Sequence, residues 1–371
     1  MNRRIYLLIK RLSDRSIQTL GLLRSSWTGD NDPVVMPAVP ARPVPLPRNA
    51  DHLPVPFRAR FGHGVPLSER RVHRVHNALV SWHGVVFQGL RLFLPSVWAS
   101  PRLLHEFNGT FLLRQWWSKR EQLVASEVVG LAHGPWAVYN YYHWMVDTLP
   151  RLLLLERSQP GCQLLLFEPV PAYVRTTAAI FGFVRFVLLP PETVIKVPEL
   201  VIPDYPAPSG FQDAALSLMV RERVLEALKV KAFVGERRVY VSRNRQHLRR
   251  LLNEAAIEPL LRQYGFEIIY FEEHSFEEQV HLIAEATVLI GVHGANLTNM
   301  LFMRPGATVV ELMIDGKAFN PCYYYLANTM QLNYYSVPCR AEGGNWEADD
   351  PNLEVEYSAL QRVLASLFPP A

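Results

Sequence analysis

An α/β protein of two lobes is the fold this sequence predicts, and three observations predict it. Short apolar runs of strand length alternate with helical segments over residues 163–228 and again over 238–311, and such alternation builds sheets covered by helices. The stretch Gly291-Val292-His293-Gly294 sits between Thr287-Val288-Leu289-Ile290 and Thr308-Val309-Val310. Those two runs have the composition of buried parallel strands, and the glycines let the chain turn between them. The length, 371 residues, is enough for two domains with cores of their own.

Taken in order, residues 1–32 form a basic N-terminal segment. Arg3, Arg4, Lys10, Arg11, Arg15 and Arg24 stand against the single acid Asp14 before residue 27, while Ile5, Leu8, Ile9 and Leu12 fall at helical spacing. A basic amphipathic helix of this kind can make peripheral contact with an anionic membrane face; a helix packed on the core is the plainer reading. Residues 33–56 carry eight prolines and read as an extended linker. The N-terminal lobe is expected over 57–230. It opens with β-rich sequence, with candidate strands at 72–80, 84–94 and 111–113. His63, His73, His76 and His83 in this region lack metal-site spacing and read as surface or loop residues.

Val138 to Arg157 holds the first candidate site. Asn140, His143, Asp147 and Arg151 share one helical face, with Pro150 a kink or break. His143 and Asp147 are four apart, so their side chains can meet. A carboxylate beside an imidazole orients and charges it, or is itself the base. Tyr139, Tyr142 and Trp144 add aromatic density, which suits a sugar-binding cleft; the plain reading makes them core.

The C-terminal lobe is expected over 231–345, followed by a closing helix within 346–371. Its first strand, RVYVS at 238–242, runs into six arginines between residues 237 and 250. Arginines beyond the carboxyl end of a parallel strand lie where such sheets bind ligands. Arg243 is nearest and can clamp a phosphate bidentately, with Arg249 or Arg250 second. Ser275 and Glu278 form a capping box. At the glycine turn, Asn296 or Thr298 can cap a short helix to Phe302. A strand, a glycine turn and a helix N-terminus make an anion site, to which His293 adds a donor. Glu311, taken as the end of its strand, can accept the hydroxyls of a ribose or stand solvated.

Composition narrows the classes. At 49% hydrophobic and 19% charged the chain is globular, and a net charge of +4 is no nucleic-acid signature. Cys162, Cys322 and Cys339 are odd in number and have no zinc spacing, so neither a disulfide framework nor a metal site is expected. The apolar run Ile5–Ile9 is too short for a secretory signal, and no run approaches a membrane span. A cytoplasmic protein, peripheral at most on the inner membrane face, is the expectation.

A two-lobed chain with a diphosphate loop suggests transfer from a nucleotide-activated donor. One base must deprotonate the acceptor hydroxyl, and Asp147 or His143 can supply it. Positive charge must stabilise the leaving diphosphate, and Arg243, His293 and the Gly294–Asn296 amides can supply that without a metal. A protein that binds the nucleotide sugar without catalysis is the rival.

Four fragments, NYYHWMVDTLPRL, YVSR with RRLLNE, FEEQVHLIAEATVLIGVHGANLTNMLF and GATVVEL, together resemble glycosyltransferase family 61 over roughly residues 130–315. The resemblance implies a GT-B-like fold, two Rossmann-like lobes facing across a cleft. It also implies an inverting transferase that takes its nucleotide sugar, a UDP-sugar as co-substrate, on the C-terminal lobe and needs no further cofactor. On this chain it implies catalytic Asp147 and His143. Donor-binding residues are Arg243, Arg249, Asn253, Glu254, Gln279, His293, Gly294, Ala295, Asn296, Asn299 and Glu311. Asn140, Tyr142, Trp144 and Arg151 line the acceptor side. Without a leader or anchor, the chain looks more like the bacterial members of capsular and exopolysaccharide assembly, with a glycan or lipid-linked glycan as acceptor.

Overall fold

The computed structural model describes residues 28–369, apart from 30, 98–102, 104–105, 108, 118–119, 123–126, 231–235, 346 and 348–349. The basic segment over 1–26 lies outside the described residues. The chain is a mixed α/β protein with two sheets, and divides into one compact unit of residues 1–39 and 68–209 and another of 40–67 and 210–371.

The first unit holds nine strands: β1 (Val34–Met36), β2 (Arg70–Ser81), β3 (Val86–Gln88), β4 (Arg91–Leu92), β5 (Arg120–Gln122), β6 (Val128–Gly130), β7 (Gln163–Phe167), β8 (Phe186–Leu189) and β9 (Val194–Pro203). They form one sheet in the order β4-β3-β2-β9-β6-β7-β8, with β1 on β2 and β5 on β9. The pairs β9-β6, β6-β7 and β7-β8 are parallel. The long β2-β9 pair is antiparallel, as are β2-β3 and β3-β4. The expected Rossmann-like lobe is therefore present only as the parallel half of a mixed sheet. The candidate strand at 111–113 is part of a helix, Gly109–Trp117.

His73 is not a surface residue. It is buried, with Nδ1 2.8 Å from Asp32 Oδ2 and Nε2 2.9 Å from Asp204 Oδ1. Burial acts to lower its pKa, but the hydrogen bonds and charges of Asp204 and Asp32 outweigh it and hold the imidazole above its ordinary value.

The second unit is built on β10 (Arg237–Val241), β11 (Phe266–Ile269), β12 (Ala286–Val292), β13 (Thr308–Ile314), β14 (Asn333–Ala341) and β15 (Leu353–Val355). Their order is β11-β10-β12-β13-β14-β15, parallel except for the last pair. Five parallel strands in this order make a doubly wound sheet. The connecting helices are α1 (Glu254–Gln263), α2 (Phe276–Ala284), a 3-10 helix at Ala295–Phe302 and α3 (Cys322–Thr329); α4 (Tyr357–Leu367) closes the chain. One face of the sheet packs Tyr240, Ile290, Val292, Val310, Leu312 and Val337 with Ile257, Leu261 and Leu364 from the helices. The capping box at Ser275 and Glu278 is present.

The proline-rich stretch expected as a linker is held down from Pro40 onward within this unit. Asn49 Nδ2 donates to the Ser336 carbonyl at 2.8 Å, and Ser336 N donates back to Asn49 Oδ1 at 3.1 Å. Tyr324 Oη donates to the Val44 and Pro45 carbonyls and accepts from Gly62 N. Phe57 and Phe61 then pack edge-on against Phe319, and Phe61 also against Tyr324. Prolines suit such a strap, because backbone without N–H donors needs fewer partners when it lies along a surface.

Candidate functional site

In the second unit β10 and β12 are the neighbours between which the chain order reverses, and sheets of this order open a crevice beyond the carboxyl ends of such a pair. The register pairs Val241 with Gly291, Gly291 with Glu311 and Glu311 with Ser336 in one row. Arg243 and His293 therefore lie two residues past that row, at the mouth of the crevice.

Arg243 is buried; its Nη2 donates to the Leu248 carbonyl at 3.2 Å, while Nε has no hydrogen-bond partner. Burial, and then the charge of Arg249, pull its pKa below the ordinary guanidinium value. Gly294 is where the guanidinium passes: a Cβ there would stand 2.4 Å from Nη1 and 2.8 Å from Cζ. The 3-10 helix begins at Ala295 with Gly294 as its cap, and no side chain caps it. Neither Asn296 nor Thr298 takes that role, so the opening N–H groups keep the unmet donors of a helix N-terminus. Asn296 Nδ2 is also buried without a partner. Arg243, His293, Gly294, Ala295 and Asn296 thus converge at the switch point, and what they offer is donors.

The remaining donor-side residues brace this group. Glu254 is buried and accepts from Tyr240 Oη and Ser242 Oγ at 2.7 Å and from Asn244 Nδ2 at 2.8 Å, which fixes the turn that presents Arg243. Asn253 is spent on β15: its Nδ2 donates to the Val355 carbonyl and its Oδ1 accepts from Val355 N. Gln279 donates to the Phe271 and His274 carbonyls and accepts from Asn299 Nδ2, and Asn299 is fully buried. Arg249 pairs with Asp350 at 2.7 Å. Arg245 pairs with Glu273 and stacks 4.1 Å over the Tyr270 ring.

Glu311 is not at a strand end. β13 runs on to Ile314, and Glu311 in its middle is 0% exposed. Its Oε1 lies 2.5 Å from His293 Nδ1, and its Oε2 accepts from Tyr334 Oη at 2.5 Å. Both oxygens are occupied, so neither ribose recognition nor solvation describes it. An acid in the middle of an unbroken apolar run, Thr308-Val309-Val310-Glu311-Leu312-Met313-Ile314, was the available signal, since such strands are buried on both faces and a buried charge needs a partner. Tyr334 was missed entirely.

In the first unit His143 and Asp147 sit on one helix that changes its winding. Tyr141–His143 is α-helical, Trp144–Thr148 is a π turn, and Leu149–Ser158 is α-helical again. Pro150 neither kinks nor ends it; the wider turn accommodates a residue that cannot donate, and such turns are frequent at functional sites. Asn140 caps the start by accepting from Tyr142 N at 2.9 Å. Asp147 Oδ2 lies 2.7 Å from His143 Nδ1. Asp147 is buried while His143 keeps an accessible edge. Burial raises the Asp147 pKa, against the pull of His143 and then of Arg151. The pair is built as an imidazole at the surface with a carboxylate behind it.

The acceptor-side expectations divide. Trp144 is buried, donating through Nε1 to Thr177 Oγ1, and Tyr142 is buried too. Arg151 is 0% exposed, donating to the Pro203 carbonyl through Nε and Nη2 and to the Ala132 carbonyl through Nη1, over the Tyr205 ring. These three belong to the core, because each points away from the accessible edge of His143. The aromatics at that edge are Trp136, whose ring centre is 5.0 Å from His143, and Tyr139, which is 70% exposed and packs on Trp82. Both precede the Asn140 cap, where a helical-face argument does not reach.

Residues 141–310 match the family described as Glycosyltransferase 61, and the chain carries a domain of that family. Among curated proteins it is similar to protein O-linked-mannose beta-1,4-N-acetylglucosaminyltransferase 2. The human protein is 36% identical over 103 residues, 27% of this chain and 17% of that protein. The Bos taurus protein is 37% identical over 135 residues (35% and 20%), and that of Xenopus tropicalis 40% over 119 (31% and 17%). The match thus spans at most 20% of the length of these three relatives.

Among the described residues no group of three or more His, Cys, Asp or Glu side chains is placed to hold a metal, and no helix is long and apolar enough to cross a membrane.

Proposed function

We propose that this chain is a glycosyltransferase that moves a sugar, with inversion, from a nucleotide-sugar donor to a glycan hydroxyl. The diphosphate lies at the carboxyl ends of β10 and β12. One observation carries this reading: the switch-point loop keeps two buried donors without partners, Arg243 Nε and Asn296 Nδ2, beside an uncapped helix start. Buried polar groups are paired almost everywhere in folded proteins, so unpaired donors there call for an anionic partner. The family match supports the same donor class.

Within this proposal His143 and Asp147 deprotonate the acceptor hydroxyl, and Arg243 and His293 stabilise the charge that develops on the departing diphosphate. The chemistry requires no divalent metal, so chelator leaves transfer intact. The donor sugar proposed first is N-acetylglucosamine, from the names of the relatives. The acceptor is a glycan, either protein-linked mannose as in those names or a polysaccharide precursor as in bacterial capsule assembly.

The experiment is a panel of nucleotide sugars read by nucleotide release, with a thermal-shift series of nucleotide diphosphates. UDP should stabilise the protein and Arg243→Ala should abolish that stabilisation. Asp147→Asn and His143→Ala should lose transfer and keep UDP binding. Indifference to every nucleotide would sink the assignment, and UDP binding without transfer from any donor would make the chain a binder.

A further inference from the structure

We propose that Glu311 and Tyr334 are positioning residues that hold His293 as a cation, with Nε2–H presented to the diphosphate. The inference rests on the nucleotide site proposed above and adds to it the device that sets its charge.

The sheet register explains the arrangement. Glu311 lies opposite Gly291, and His293 is two residues further along β12's path, so Glu311 and His293 are diagonal neighbours on one face. Gly291 has no side chain to stand between them. Tyr334 is two residues before Ser336, which lies opposite Glu311, and it reaches the same carboxylate from the other side. His293 Nδ1 and Tyr334 Oη each lie 2.5 Å from a different carboxylate oxygen.

The charge follows from the surroundings. Glu311 is wholly buried, and a buried carboxylate without a cation is costly. Tyr334 is a neutral donor to it, since burial and then the charge of Glu311 push the phenol well above its ordinary value. Tyr323 packs edge-on to the His293 ring, 5.1 Å away, and burial keeps its hydroxyl neutral as well. From β10, Arg243 lies against Gly294, the residue after His293; its like charge opposes protonation of the ring. Among these groups only His293 both touches Glu311 and can carry the balancing proton. With Nδ1–H directed at Glu311, Nε2 is the nitrogen left for a ligand, and in the cation it is a donor.

The test is UDP affinity by calorimetry from pH 5.5 to 9 on the full chain, comparing wild type with Glu311→Gln, Tyr334→Phe and His293→Gln. Ionisation of UDP itself affects all four alike, so differences report the protein. Wild-type affinity should persist above the ordinary histidine range and then fall. In Glu311→Gln the fall should come at least about one pH unit lower, leaving binding about tenfold weaker at pH 8. Tyr334→Phe should shift the same way by less, and His293→Gln should remove the step. If Glu311→Gln does not fold, Tyr334→Phe and the 15N titration of the wild-type His293 imidazole decide. Profiles that coincide, or a His293 that titrates at or below the ordinary imidazole range, overturn this proposal alone. Wild type that binds no UDP at any pH overturns the nucleotide reading and this inference with it.

Discussion

Gly294→Ala separates two reasons for a glycine in the anion loop. Gly294 has an extended backbone, φ 162°, which alanine adopts without strain. What alanine lacks is room: its Cβ would lie 2.4 Å from Arg243 Nη1 and 2.8 Å from Cζ. The obstacle is the end of a flexible side chain, so the fold yields cheaply by moving the guanidinium. Stability should fall by no more than about 1 kcal/mol, or roughly 2–4 °C in Tm. Ligand binding should not escape, because Arg243 then leaves the position from which it meets phosphate. Hydrogen bonds to charged groups contribute about 1.5–3 kcal/mol, so UDP affinity should drop roughly 10- to 150-fold. Calorimetry with UDP beside a thermal melt reads both numbers. A folded Gly294→Ala protein that binds UDP like wild type would refute the role given to Arg243, and a collapse in Tm would show that Gly294 serves the fold instead.

Other expectations are briefer. Glu254→Ala strands the donors of Tyr240 and Ser242, both fully buried, and should cost about 2–6 kcal/mol in urea unfolding. Arg151→Met leaves the Ala132 and Pro203 carbonyls without their donor and should cost a similar amount; normal stability with weakened acceptor binding would restore the acceptor-side role. The raised pKa of His73 means that its pairing with Asp32 and Asp204 stabilises fully below the unfolded value near 6.5 and is lost as pH rises through the higher folded value. Unfolding midpoints measured from pH 6 to 9 should decline for this reason, and His73→Gln should flatten that decline.

The site was legible where chemistry follows local spacing. Four residues on a helix bring His143 to Asp147 whatever else the chain does, and a glycine turn between two apolar runs marks a strand-end loop. The sheet of the second unit was legible for the same reason, since its strands and helices alternate in order. Where partners are distant the sequence is silent. Nothing near Arg70–Ser81 says that it pairs antiparallel with Val194–Pro203, so the mixed character of the first sheet was missed. Arg151 and Trp144 read as site residues because a helical wheel cannot tell a buried polar face from a wet one. Gln279 and Asn299 were picked out with the right neighbours and turn out to hold each other.

The strap over residues 40–67 bears on how this protein is made. Asn49 locks onto Ser336 across 287 residues, and the whole of the β2–β9 sheet is synthesised between the two. At bacterial or eukaryotic elongation rates the strap waits roughly 15–60 s for its partner strand. During that time Phe57 and Phe61 have no Phe319 or Tyr324 to cover them. The ribosome thus releases a folded-competent first unit with two loose aromatic anchors, and only the last third of translation gives them somewhere to go. A fragment begun at residue 210 would never receive them.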